Sequence, residues 1–239
     1  MEDDTINIAY NLDCMGALRS MPDNSFDLAV VDPPYGDGLP RPEKTQRDPA
    51  AMREHLKTLR PTTLRAGGHF KKFDPESKIA KWDVAPDKEY FDELFRVSKN
   101  QIIWGGNYFE MPRTRCFLIW RKTNIPLEGF SMAPAEYAWT SFNRNAMLFE
   151  FSAINQAGRF HPTQKPPELY AWIYKHFAKK GDKILDTHLG SGSSRIAAYD
   201  AGLDFVGYEI DKDYFDKQEQ RFESHTAQLS LFIQKQSET

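Results

Sequence analysis

The chain has 239 residues, 40% of them hydrophobic and 27% charged, with a formal net charge of −3. That is the composition of a globular protein with enough material for one large α/β domain (1–239) rather than two independent ones. No apolar run approaches the roughly 18 residues of a membrane span, and Met1-Glu2-Asp3-Asp4 is too acidic for a secretory leader. Two isolated cysteines, Cys14 and Cys116, give neither a disulfide framework nor zinc spacing. No metal is therefore expected, and a reducing, cytoplasmic compartment is the simpler reading.

In chain order, residues 7–10 read as a short strand, and Asp13 as the cap of a short helix to Met21, its carboxylate accepting from amides one turn on. Residues 26–31 form an apolar run that leads straight into Asp32-Pro33-Pro34-Tyr35-Gly36. Proline cannot continue a ladder, so the tetrapeptide sits just past the carboxyl end of a strand, the edge at which open parallel sheets bind ligands. Residues 37–83 lack periodicity and are rich in Pro, Gly, Lys and Arg, a long insertion of the kind that is usually functional. Within it, residues 41–81 carry eleven Lys/Arg against five Asp/Glu, a net of +6, while the remainder of the chain is −9. The asymmetry suits a polyanion-binding segment on an acidic body, with an ordinary solvated loop as the alternative.

Further along, residues 87–97 read as a helix with Phe91, Leu94 and Phe95 on one face. Residues 101–104 and 117–120 read as strands, and 136–142 as an antiparallel edge strand. Pro166 and Pro167 open a helix with an apolar stripe of Leu169, Trp172, Ile173 and Phe177, stopped near Gly181. Residues 183–186 form a strand, Gly190-Ser191-Gly192-Ser193 turns into a helix ending near Gly202, residues 205–208 form the next strand, and Asp211 caps a final polar helix.

Two motifs carry chemistry. In Asp186-Thr187-His188-Leu189-Gly190-Ser191-Gly192-Ser193 the glycines allow a tight turn and close backbone approach to a ligand. Arg195 stands where a dinucleotide fingerprint needs Gly or Ala, which argues against a nicotinamide pyrophosphate on this helix. Glu209, closing the following strand, can accept from both ribose hydroxyls of a nucleoside. This unit serves adenosyl cofactors, and a plain βαβ crossover is its bland alternative. In Asp32-Pro33-Pro34-Tyr35, Asp32 and the Pro33 carbonyl offer two acceptors for the hydrogens of an exocyclic base amine. Held so, the amine pyramidalises and its lone pair leaves the ring. Tyr35 offers a stacking face for an extruded base, worth ~1–3 kcal/mol. The alternative is a rigid turn with a surface tyrosine.

Together these motifs resemble the amino-methyltransferases of bacterial and phage DNA, specifically the circularly permuted beta group, in which the catalytic tetrapeptide precedes the glycine motif. His161-Pro162-Thr163-Gln164-Lys165-Pro166 matches the segment that precedes the glycine strand in that family. The resemblance runs from Ile6 to Tyr214. It implies a Rossmann-like α/β fold with a mixed seven-stranded sheet, helices on both faces, and the glycine strand beside the Asp32 strand. It implies S-adenosyl-L-methionine as cofactor, with Asp13 at its adenine, Glu209 at its ribose, Thr163 and Lys165 at its methionine end, and Asp186, His188, Gly190, Gly192 and Ser193 in the turn around it. It implies a catalytic set of Asp32, Pro33, Pro34 and Tyr35 acting on double-stranded DNA with the target base flipped out. Asp at the first tetrapeptide position leans toward adenine N6. Cytosine N4, an RNA substrate, and a non-catalytic nucleic-acid-binding protein on the same fold are the alternatives. A homodimer is also implied as an assembly, with the aromatic residues between 102 and 120 serving either it or the core. Two departures stand out. His188 replaces the usual Phe, and only residues 143–160 remain where the family often carries a target-recognition domain, which shifts DNA reading to the basic segment.

Overall fold

The computed structural model describes residues 5–36, 84–127, 133–153 and 159–237, with backbone alone for 229–237. The whole of the basic insertion 37–83, and residues 154–158 of the reduced recognition segment, lie outside the described residues. The chain divides into two compact units, Met1–Pro33 with Pro86–Thr239, and Pro34–Ala85. Pro34 and Tyr35 thus belong to the second unit. Within that unit Gly36 has φ +60, and a Cβ there would lie 2.8 Å from the Ala85 nitrogen, so the turn after the tetrapeptide requires glycine.

The first unit begins with β1 (Asn7–Tyr10), α1 (Cys14–Ser20) and β2 (Leu28–Val31). Asp13 caps α1 by accepting from the Met15 amide at 2.9 Å. After the insertion come α2 (Lys88–Val97), β3 (Gln101–Trp104), β4 (Phe117–Lys122), β5 (Ala135–Thr140) and β6 (Met147–Phe151). Asp87 caps α2 through the Tyr90 amide. The chain closes with α3 (Pro167–Phe177), β7 (Lys183–Asp186), α4 (Ser193–Asp200), β8 (Asp204–Tyr208) and α5 (Lys212–Ser237).

The strands make one mixed sheet in the order β1-β8-β7-β2-β3-β5-β4-β6. Among the described residues it has eight strands where the sequence predicts seven. The addition is β6, inside the segment 143–160 that stands where the family often carries a target-recognition domain. It pairs parallel to β4 at the outer edge. Its half-buried alternation leaves Leu148 57% exposed, so its pattern is weak, as edge strands tend to be. From β1 to β3 all strands run parallel, whereas β5 is antiparallel to both β3 and β4. Although β7 comes late in the chain, it inserts between β8 and β2, so the glycine strand and the Asp32 strand are neighbours, as expected.

All four residues of β2 are buried, as for a parallel strand covered on both faces. Leu28 and Val30 share one core cluster with Leu169 and Ile173 of α3 and Ala197 of α4; Ala29 and Val31 share another with Leu18 of α1 and Leu94 of α2. Of the aromatic residues between 102 and 120, Trp104 and Trp120 are at most 2% exposed and belong to this core, whereas Tyr108 and Phe117 are 43% and 37% exposed. Among the described residues no helix is long and apolar enough to cross a membrane.

Candidate active site

The carboxyl ends of β1, β8, β7 and β2 converge at one edge of the sheet. Asp13, Glu209, the glycine turn and Asp32 leave from those four ends in turn. The Asn11 side chain donates to the Glu209 carbonyl at 2.8 Å and the Glu209 amide to the Tyr10 carbonyl at 3.0 Å, which levels the ends of β1 and β8.

The turn after β7 depends on two left-handed glycines, Gly190 at φ 54 and Gly192 at φ 73. The Gly190 N–H donates to Glu209 Oε2 at 2.8 Å, and the Asp211 N–H to Oε1 at 2.8 Å. Burial pushes the Glu209 carboxyl up, while these backbone donors favour its charged form. Asp186 is 2% exposed. It accepts from the Ser194 hydroxyl and, at 3.0 Å, from the His188 N–H. Burial outweighs those bonds and, helped by the charges of Asp32 and Glu209, pushes the Asp186 carboxyl up to about 7.

His188 is held by Thr187 Oγ1, 2.9 Å from Nδ1, and Thr187 Oγ1 lies 2.6 Å from the Tyr90 hydroxyl. The Tyr90 ring stands edge-on to the imidazole at 5.4 Å. Desolvation lowers His188 to about 4, so near neutral pH it is an uncharged flat ring, an acceptable stand-in for phenylalanine. His161 packs edge-on against Tyr214 at 4.3 Å and contacts Thr163 Oγ1 at 3.2 Å. A Cβ on Gly190 would lie 3.4 Å from the His161 ring. His161 and Thr163 therefore sit against the glycine turn, and burial lowers His161 to about 4.

Ser193 faces the last helix. Its hydroxyl accepts from Arg221 at 2.9 Å and lies 3.1 Å from the Ser191 hydroxyl. Arg195, at the position that argued against a dinucleotide, is 5% exposed. It donates to Asn7 at 2.8 Å, Gln218 at 3.1 Å and Glu219 at 2.7 Å, and stacks 3.9 Å from the Phe222 ring centroid. It is a structural bolt between α4, β1 and α5.

Lys165 reaches across the sheet edge to Asp32, where its ammonium donates to Oδ2, and contacts Glu136 Oε2 at 3.2 Å. Lys122 pairs with the other Glu136 oxygen at 2.5 Å. The four side chains form a row of alternating charge, with Lys165 only 3% exposed. Burial by itself lowers the Lys165 ammonium pKa, but Asp32 and Glu136 more than reverse that and hold it above the ordinary lysine value. Burial likewise opposes Glu136, and the two lysines keep it below the usual carboxylate range. Sequence reasoning points to Lys165 and Asp32 but assigns no role to Glu136 or Lys122. Only the antiparallel run of β5 beside β3 carries Glu136 to the edge where Asp32 emerges.

The residues present fit an adenosyl group. Glu209 retains acceptor capacity on both oxygens beyond its backbone bonds, which suits a vicinal diol, and the glycine turn gives close backbone access. A mixed sheet whose parallel part carries this acid and glycine turn defines a protein of the methyltransferase fold. The pattern of the family described as DNA methylase matches residues 136–220. Over that segment the chain is similar to the N6/N4 DNA methyltransferases. It is 25% identical over 228 residues to the type II methyltransferase M.HpaI of Haemophilus parainfluenzae, covering 87% of this chain and 71% of that one. It is 24% identical over 248 residues to M.BglII, from Bacillus subtilis, covering 88% and 67%. Its fold is similar to that of a DNA modification methylase from Thermus thermophilus, solved with S-adenosyl-L-methionine (TM-score 0.53, 17% identity, 92% and 94% covered). It is also similar to the cytosine-N4-specific PvuII DNA methyltransferase (TM-score 0.58, 13% identity, 91% and 87% covered).

Proposed function

We propose that this protein transfers a methyl group from S-adenosyl-L-methionine to the exocyclic N6 amine of adenine in DNA, with the target base turned out of the duplex. The observation that carries this reading is the pairing of β2 with β7, which sends Asp32 and the glycine turn out of adjacent parallel strands at one sheet edge. The cofactor supplies an electrophilic methyl on a sulfonium. Glu209 takes its ribose hydroxyls, Asp13 its adenine amine, and Thr163 and Lys165 its methionine end, while Asp186, His188, Gly190, Gly192 and Ser193 shape the turn around it.

On the substrate side, Asp32 and the Pro33 carbonyl each accept one hydrogen of the target amine, which localises the lone pair toward the methyl. Holding the two reactants in line provides most of the acceleration. Asp32 takes the proton after transfer, when the methylated amine has become acidic. Tyr35 stacks on the extruded base and Pro34 stiffens the loop. The basic insertion 37–83 makes the phosphate contacts that offset the few kcal/mol of base extrusion.

The test is transfer of tritiated methyl from S-adenosyl-L-methionine to unmethylated bacterial DNA by wild type and Asp32→Ala. Loss of at least ~100-fold in the variant, of the order expected for removing a group that acts on the transferring proton, supports the role of Asp32; equal rates would end it. A cytosine-N4 target is the second reading, favoured by the likeness to the PvuII enzyme. Nucleoside mass spectrometry of the product separates N6-methyladenine from N4-methylcytosine.

A further inference from the structure

We propose that Glu136 is a positioning residue for the reaction: by pinning the Lys165 ammonium from the side opposite Asp32, it fixes the orientation in which Asp32 meets the target amine. The inference rests on the methyltransferase reading of Asp32. Its basis is the order of the charged row. Lys122 anchors one Glu136 oxygen at 2.5 Å, the other oxygen holds Lys165 at 3.2 Å, and Lys165 holds Asp32 Oδ2. The row carries two cations and two anions, so it is neutral as a unit and survives burial that no single member would tolerate.

Besides Asp32, which follows β2, three segments feed it. Glu136 comes from β5, Lys122 from the end of β4, and Lys165 from the segment before α3. Lys165 is a long, flexible side chain with three donors and no geometry of its own. Two carboxylates on opposite sides convert it into a fixed donor, further confined by the Trp104 ring 5.2 Å from Nζ. With one Asp32 oxygen bound by a donor that cannot swing, the carboxylate plane is set. Its other oxygen is then presented in one direction rather than over a rotor's range. Without Glu136, Lys165 keeps its bond to Asp32 but gains freedom, and the carboxylate moves with it.

Glu136→Gln is the test, with Lys122→Gln as a milder disturbance of the same row and Arg195→Ala as a control that weakens the fold away from it. Tritiated methyl transfer to unmethylated bacterial DNA from S-adenosyl-L-methionine is followed over pH. Glu136→Gln is expected to lower kcat about tenfold, in the range of couplings within one charge network, with KM for both substrates little changed. Its kcat profile is also expected to gain an alkaline decline absent in wild type, because Lys165 loses the second carboxylate that holds its proton. Lys122→Gln falls between, and Arg195→Ala shows neither effect. A Glu136→Gln enzyme with wild-type kcat and profile overturns the proposal, as does a loss matched by Arg195→Ala.

A second readout needs no activity. In protein labelled with 15N-lysine, the shielded Lys165 ammonium resonance should move in both Asp32→Asn and Glu136→Gln. A shift in the first alone overturns the positioning role. Absence of any transfer by the wild type instead counts against the methyltransferase reading, and the resonance still decides whether Glu136 holds Lys165.

Discussion

The Gly190 N–H donates to Glu209 Oε2 at 2.8 Å, joining the turn after β7 to the acid after β8. One carboxylate therefore braces the glycine turn and, on the proposed reading, would also hold the cofactor ribose.

Replacing Gly190 exposes this coupling. Alanine at φ 54 costs ~1–2 kcal/mol for the left-handed backbone, while its Cβ would only touch the His161 ring, at 3.4 Å. Gly190→Ala is expected to fold with a lower Tm and to bind S-adenosyl-L-methionine at least ~10-fold more weakly, measured by calorimetry. Unchanged affinity would show that the turn does not line the cofactor.

Glu209→Gln has a distinct signature. Each Glu209 oxygen accepts a backbone N–H, from Gly190 and from Asp211. A glutamine amide must oppose one of them with its own N–H, at a cost of ~1–3 kcal/mol for the unsatisfied group. Both stability and cofactor affinity should fall, seen in denaturant titrations and calorimetry on the same samples.

Arg195→Ala should separate stability from function. It removes bonds to Asn7, Gln218 and Glu219 and the stack on Phe222. The expected loss is ~2–4 kcal/mol of unfolding free energy, since a buried pair is broken and carboxylate Glu219 is left partly exposed. Cofactor affinity at a temperature where both proteins are folded should stay within about twofold; a larger change would place Arg195 in the site.

The imidazoles give a pH dependence of defined sign. His188 and His161 are both lowered by burial to about 4, against ~6.5 in an unfolded chain. Below ~6.5 the unfolded chain takes up protons that the folded one refuses, so these groups make stability fall as pH drops toward about 4. Asp186 acts in reverse. Its folded value of about 7 lies above the ~3.9 of an unfolded chain, so the stability it contributes is greatest at low pH and is lost as pH rises toward 7. Asp186→Asn should therefore steepen the acid loss of stability between about pH 4 and 6.5, read from urea denaturation across that range. A shallower slope would contradict the raised Asp186 value.

Much of the local structure is legible because it is written in short-range chemistry. Asp13 and Asp87 mark helix starts with carboxylates one turn from free amides, and the unbroken apolar run 28–31 marks a strand covered on both sides. The eighth strand is not, because an outer-edge strand with Leu148 exposed has little burial to impose a pattern.

What the sequence by itself determined was the inventory and its order: an acidic tetrapeptide after one buried strand, a glycine turn after another, and an acid closing the next. These depend on backbone geometry within a few residues. Which side chains meet across the edge was decided only by the tertiary structure, because the pairing of β7 with β2 and the reversed direction of β5 bring together residues as distant as Asp32, Glu136 and Lys165. A lysine reads as a cation anywhere in a chain; whether it is anchored by one carboxylate or two depends on contacts that form when the sheet assembles.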